Sequence, residues 1–295
     1  MSLKARASAR VLARVLGLPP VLVAAIGILL LTGMDAVIKG QMQAHPVTVA
    51  VFCRFAAGSV ISLLVLGWLK PPVPTRDEVM SNVMRVPLVV LTAGSFFLAI
   101  SLLPLAEAIS LSFLAPCFIA VLGVVWLREK LDRSILVALA CGFGGMAIML
   151  WPKLEVGLSG SALGVGAALF SALAYAVNII LLRQLAVKQH PATIVVFQNV
   201  GPALLLLPFA AWFWSWPTPA DWFMFAVAGV LAVSGHLLLT HAFSKANASR
   251  LAPTEYTSLV WATLIGFVFF AEMPTLYTFA GAALIIAGSL ALARR

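Results

Sequence analysis

The amino-acid sequence predicts an all-α integral membrane protein: ten transmembrane helices in two inverted five-helix repeats, with both termini cytoplasmic. Ten apolar runs, a one-sided distribution of basic residues and a duplicated segment carry that prediction. With 62% hydrophobic and only 10% charged residues, a 295-residue chain lacks the polar surface that keeps a globule in water, so lipid must cover most of it.

The runs begin near residues 20, 46, 86, 107, 133, 160, 191, 221, 250 and 274. Each is roughly 17 to 24 residues long, enough to cross ~30 Å of hydrocarbon as helix. Residues 1–19 precede them as a cytoplasmic or interfacial segment. There Val11, Leu12, Val15 and Leu16 share one helical face, with Lys4, Arg10 and Arg14 around the other; a surface helix and a flexible tail both fit. The run from Pro20 to Ile38 exceeds the apolar core of a secretory signal and ends at Asp35 and Lys39 without a small-residue cleavage site, so it reads as a retained first span. Cys53, Cys117 and Cys141 lie within apolar runs and read as small buried hydrophobes, not as a disulfide framework.

Sixteen of the nineteen Lys and Arg fall on one side. Lys4, Arg6, Arg10 and Arg14 precede span one; Lys70, Arg76 and Arg85 follow span two; Arg128, Lys130 and Arg133 follow span four. Arg183 and Lys188 follow span six, Lys245 and Arg250 follow span eight, and Arg294 and Arg295 close the chain. Lys39 and Lys153 face the other way, and Arg54 lies inside a span. Positive charge stays inside, which makes the termini cytoplasmic. Insertion and an anionic leaflet thus account for the net charge of +9, and nucleic acid is not expected as a partner. The sequon Asn247-Ala248-Ser249 falls in a cytoplasmic loop and is expected to be unmodified.

The duplication is visible where His45-Pro46-Val47-Thr48-Val49-Ala50-Val51-Phe52 aligns with His190-Pro191-Ala192-Thr193-Ile194-Val195-Val196-Phe197, at an offset of 145. Later, Gly123 to Glu129 aligns with Gly266 to Glu272 at an offset of 143. The repeats occupy 20–151 and 160–293. Five spans per repeat force opposite insertion, the architecture in which exchanging the conformations of two halves gives alternating access.

The stretch Pro46 through Arg54-Phe55-Ala56-Ala57 resembles the second helix of the EamA family in the drug/metabolite transporter superfamily. Leu105 to Ser110, Pro116 and the closing Glu129-Lys130-Leu131 resemble that family's third-to-fourth helix region. The likeness covers nearly the whole chain, and YddG-type amino-acid exporters of the family are similar in length and layout. The second half departs from the pattern, with Asn199 at the place of Arg54.

Charged and polar groups at membrane depth are candidates for function. Asp35 and Arg54 lie at similar depth and are expected to pair or gate, with Lys39 competing for the carboxylate; the alternative puts Arg54 on a substrate carboxylate. His241 and Glu255 form an equivalent candidate pair at the inner end. Ser171, Tyr175 and Asn178 make an i, i+4, i+7 polar stripe expected to face a cavity, walled by Tyr256, Trp261, Phe97 and Phe113. His236 is a candidate proton carrier, because an imidazole titrates near neutrality, or a hydrogen-bonded packing group. His236 and His241 do not make a metal site, since five residues rotate the rings apart. Pro116 is the candidate helix kink; Pro253 reads as a helix start.

The sequence contains no metal-ligand, nucleophile–base or phosphate-loop motif, so a membrane enzyme on a lipid substrate is the lesser reading. No cofactor and no enzymatic activity are expected. What the resemblance implies is a secondary transporter, an exporter of small metabolites such as amino acids, including aromatic and apolar ones. It would sit in the bacterial inner membrane with the lipid bilayer and a small molecule as partners. Protons are a candidate coupling ion, and monomer and homodimer remain open. A nucleotide-sugar or lipid-precursor carrier is the alternative within the same superfamily.

Overall fold

Hydrocarbon offers no water to backbone amides, so a spanning segment must satisfy its own hydrogen bonds, and helix is the way a single segment does so. The computed structural model describes residues 17–102, 111–130, 132–154, 162–270 and 275–293. Among these the chain forms α1 (Pro20–Gln41), α2 (Val47–Leu69), α3 (Arg76–Leu102), α4 (Ala115–Leu127) and α5 (Arg133–Leu154) in the first half. The second half forms α6 (Ala162–Lys188), α7 (Pro191–Trp212), α8 (Pro219–Lys245), α9 (Thr257–Phe270) and α10 (Leu276–Ala293). A helical turn, Ala248–Leu251, and a 3-10 segment, Ala252–Tyr256, lead into α9.

Local chemistry sets the starts. Pro20 and Pro191 stand at first-turn positions, where a missing N–H costs nothing. Thr218 and Asp221 cap α8 reciprocally, and Thr75 and Glu78 do the same for α3: the Thr75 amide donates to Glu78 Oε2 at 2.7 Å, and the Glu78 amide donates to Thr75 Oγ1 at 3.3 Å. This cap starts α3 ten residues before the apolar run near residue 86. The first turns of α3 are polar, so hydropathy passes over them. Arg85, read as a loop residue from the sequence, therefore lies inside α3 and is buried. The basic asymmetry survives without it.

Helix pairing reveals the symmetry. α1 packs on α8 and α3 on α6; α2 packs on α8 and α3 on α7; α1 meets α9 and α4 meets α6. Each pair becomes its companion when helices one to five exchange with six to ten, and α2–α7 and α5–α10 map onto themselves. The halves interlock and do not stand side by side. At the α1–α8 crossing, a Cβ on Gly27 would come within 3.0 Å of the Gly235 carbonyl oxygen, and one on Gly235 within 2.9 Å of the Gly27 oxygen. Only glycine lets the backbones approach so closely.

Among the described residues, six helices, α1, α2, α3, α6, α7 and α8, are long and apolar enough to cross a membrane, and α4, α5 and α10 are shorter apolar helices. Exposed tryptophans mark two levels. Trp68 and Trp126 lie beside Lys70 and Arg128 at one end, whereas Trp151, Trp212, Trp216 and Trp222 lie at the other, like the aromatic belts of interfacial headgroup regions. α4, with 13 residues, is too short to span alone. Pro116 sits in the first turn of α4 and Pro253 in the 3-10 segment, so both mark where a helix begins after a break; Pro116 does not kink a continuous helix.

Candidate functional site

Broken helices and small-residue crossings leave polar side chains from both halves facing one another. On α2, Arg54 Nε donates to Met34 Sδ of α1 at 3.0 Å, its guanidinium lies 4.1 Å from the Phe55 ring centroid, and Nη2 lies 3.4 Å from His236 Nε2 on α8. His236 Nδ1 lies 3.1 Å from the Gln198 amide nitrogen on α7. The carboxamide oxygen of Gln198 accepts from Arg85 Nη2 at 2.8 Å, and Arg85 Nε donates to Asn178 Oδ1 on α6 at 2.5 Å. A chain of polar contacts thus runs through α2, α8, α7, α3 and α6. Beside it, the Tyr175 hydroxyl donates to Glu255 Oε1 at 3.0 Å, which ties α6 to the 3-10 segment.

Arg54, Tyr175, His236, Glu255 and Trp261 are half-buried, and Asp35 is exposed, although all lie at interior positions of spans or broken helices. Asp35 is nevertheless close enough to interact with the charge of Arg54 and with Tyr175. Polar groups from both repeats that face one another at membrane depth and stay partly exposed mark the candidate cleft. The indole N–H of Trp261 is buried without an acceptor, a cost of about 1–3 kcal/mol unless a ligand or water accepts it.

The structure sorts the residues singled out from sequence. Tyr175 and Asn178 join the cluster, whereas Ser171 donates to the Thr92 carbonyl oxygen at 2.8 Å and is spent on α3–α6 packing. Tyr256 is fully buried: it packs over Gly142, stacks on Phe113 with ring centroids 6.1 Å apart, and its hydroxyl meets Cys117 Sγ at 3.5 Å. It belongs to the core between α4, α5 and α9, so the cavity-wall expectation is corrected for Tyr256 and for Ser171. Phe113 is half-buried against it, and the Phe97 side chain lies outside the described residues. Glu255 engages Tyr175, on a helix other than that of the His241 expected to meet it. Arg54 donates to Met34 and lies 3.4 Å from His236 Nε2, and no ion pair within 4 Å joins it to Asp35 among the described residues. Lys39, exposed in the last turn of α1, and His241, half-buried on α8, stand outside the hydrogen bonds just described.

Each end of the bundle is also tied. His45 Nε2 pairs with Asp221 at 3.2 Å and Nδ1 meets Ser215 at 2.9 Å. At the opposite end Glu129 Oε1 accepts from the Ala248 amide at 2.9 Å, Oε2 accepts from the Ser249 amide and hydroxyl, and Arg183 donates to the Phe243 carbonyl oxygen.

A polar cleft between interlocked repeats, with broken helices at its edge, is a transporter's geometry. Comparison with known proteins decides the family: EamA-like transporters match the chain twice, over residues 16–151 and 162–294. The chain belongs to the EamA-like transporter family. It is therefore a small-molecule transporter of the membrane. The pseudopaline exporter of Pseudomonas aeruginosa is 28% identical over 266 residues, 88% of this chain and 91% of that protein. The riboflavin transporter of Rhizobium johnstonii is 28% identical over 257 residues, covering 85% and 82%. The S-adenosylmethionine uptake transporter of Rickettsia bellii is 28% identical over 249 residues, covering 83% of each. A solved crystal structure superposes with a TM-score of 0.79 at 19% identity, over 93% of this chain and 98% of its own, and agrees in fold.

Within this EamA-like transporter, two cluster members escape sequence reasoning. Arg85 lies three residues from Asn82, itself four from Glu78, a polar stripe on the α3 side that also bonds Gln189 through Asn82 at 2.6 Å. That periodicity was the available signal. Gln198 precedes Asn199 in an otherwise apolar run, and adjacent carboxamides at membrane depth mark an interior face.

Proposed function

We propose that this transporter sits in the bacterial inner membrane with both termini cytoplasmic and exports a small zwitterionic metabolite, such as an amino acid with an aromatic or apolar side chain. The repeats, 20–151 and 160–293, would exchange conformations to expose the cleft to each side in turn. The observation that carries this reading is the charge balance of the cleft: Arg54 and Arg85 against Asp35 and Glu255, drawn from both repeats. Ionised groups are costly at membrane depth and persist where they contact water, one another or cargo. Two of each sign suit a cargo that carries both signs. A diphosphate-bearing cargo calls for an excess of cations, which this cluster lacks.

Trp261 and Phe113 supply apolar surface, while Asp35, His236 and Glu255 are the groups that could carry a coupled proton. Export is supported by the pseudopaline exporter among the relatives, although uptake transporters stand beside it. The test is purified protein in liposomes, offered labelled amino acids, riboflavin and S-adenosylmethionine with and without a pH gradient. Saturable movement of amino acids, faster with a proton gradient, is the expected result. Movement of none of the panel overturns the reading.

A further inference from the structure

Hydrogen-bond direction within the cluster identifies which atoms await a ligand. A guanidinium only donates, so the 2.8 Å contact from Arg85 Nη2 fixes the Gln198 carboxamide oxygen on the Arg85 side. The Gln198 amide nitrogen then faces His236 as a donor, 3.1 Å from Nδ1 and 3.4 Å from Nε2. A neutral imidazole has one accepting nitrogen, and the shorter contact assigns it to Nδ1, which leaves the ring proton on Nε2. That N–H points towards Nη2 of Arg54 at 3.4 Å, and Arg54 has no lone pair to offer. Two donors, one of them cationic, thus converge without an acceptor between them among the described residues. Across the cleft, Glu255 uses Oε1 for Tyr175 and Asp35 is exposed, and no ion pair within 4 Å joins either carboxylate to either arginine among the described residues. Arg54 and Arg85 donate instead to neutral partners, Met34, Asn178 and Gln198.

We infer that Arg54 Nη2 and His236 Nε2–H together seat a carboxylate of the cargo, and that Asp35 and Glu255 receive its ammonium group. Arg85 is a positioning residue: through Gln198 it dictates which nitrogen of His236 donates. The cargo is an α-amino acid or a larger molecule built on that unit. This deepens the transport reading and rests on it.

The experiment compares three probes of one shape, L-phenylalanine, 2-phenylethylamine and 3-phenylpropionate, by thermal stabilisation of the purified full-length protein and by uptake into liposomes. The wild type should bind phenylalanine at least tenfold more tightly than either truncated probe. The decisive variant is Gln198→Glu, nearly identical in shape. A carboxylate beside Nδ1 draws the ring proton there, Nε2 becomes an acceptor for Arg54, and the seat is closed. Gln198→Glu should lose most of the preference for phenylalanine over 2-phenylethylamine, and Asp35→Asn should lose most of the preference over 3-phenylpropionate. Unliganded thermal unfolding shows whether either variant folds; His236→Gln and Glu255→Gln replace any that does not. Equal binding of all three probes by the wild type, or preferences unmoved by these variants, overturns the inference. Wild-type protein that transports some other metabolite of the panel but ignores phenylalanine overturns it while sparing the transport reading.

Discussion

Glu129 holds Ser249 by two bonds through a single oxygen: Oε2 accepts from the Ser249 amide at 2.8 Å and from its hydroxyl at 2.7 Å. A carboxylate from the end of α4 thereby anchors the first turn of Ala248–Leu251, where unpaired amides favour a negative charge. Replacing Glu129 by Gln keeps the shape but removes the charge. Hydrogen bonds to charged groups contribute about 1.5–3 kcal/mol each, so thermal unfolding should report a loss of about 1–3 kcal/mol. Ser249→Ala should add little to Glu129→Gln, and full additivity in that double-mutant cycle contradicts the clamp.

Arg85 is the buried cation of the cluster, 3% exposed. Arg85→Gln should raise the half-saturation concentration for phenylalanine more than it lowers the maximal rate, because the cleft remains but His236 is no longer oriented. Arg85→Lys should not restore it, since an ammonium cannot reach Asn178 and Gln198 in the fixed fork of a guanidinium. Full rescue by lysine, measured by liposome uptake, argues for charge alone.

The α1–α8 crossing predicts a steep steric response. Gly235→Ala places a methyl 2.9 Å from a backbone oxygen that cannot swing away. The expected cost is about 1–3 kcal/mol, the usual range for overpacking. Gly40→Ala meets open space and should be silent in the same unfolding assay.

Sidedness is testable at two exposed positions, Ser81 and Ala220. With the three native cysteines replaced, a cysteine at 81 should resist an impermeant thiol reagent added outside intact cells, and one at 220 should react. The reverse pattern inverts the proposed orientation.

The sequence disclosed the repeats, the spans and the first half of the cluster, because hydropathy and the His-Pro duplication are local patterns. Arg54, Asp35, His236 and Glu255 stood out as charges in apolar surroundings. Arg85 did not, since the polar first turns of α3 resemble a loop to any hydropathy reading, and only the Thr75–Glu78 cap reveals the helix. The Ser171 stripe was legible as a face but not as a destination: periodicity tells that residues look the same way, not whether α3 or open space lies ahead. Tyr256 joined the core because Gly142 leaves a hollow for its ring, a complementarity between distant segments that no spacing encodes.

The 3-10 segment Ala252–Tyr256 connects two grips on the same stretch of chain: Glu129 on Ser249 and Tyr175 on Glu255. Cargo that draws Glu255 away from Tyr175 works against the Glu129 hold, and linkage makes the effect mutual. A ligand that loosens the clamp by a given factor must itself be bound more tightly, by that factor, when the clamp is already undone. Loss of Glu129 would then produce a transporter with higher affinity for its passenger and weaker control of the door.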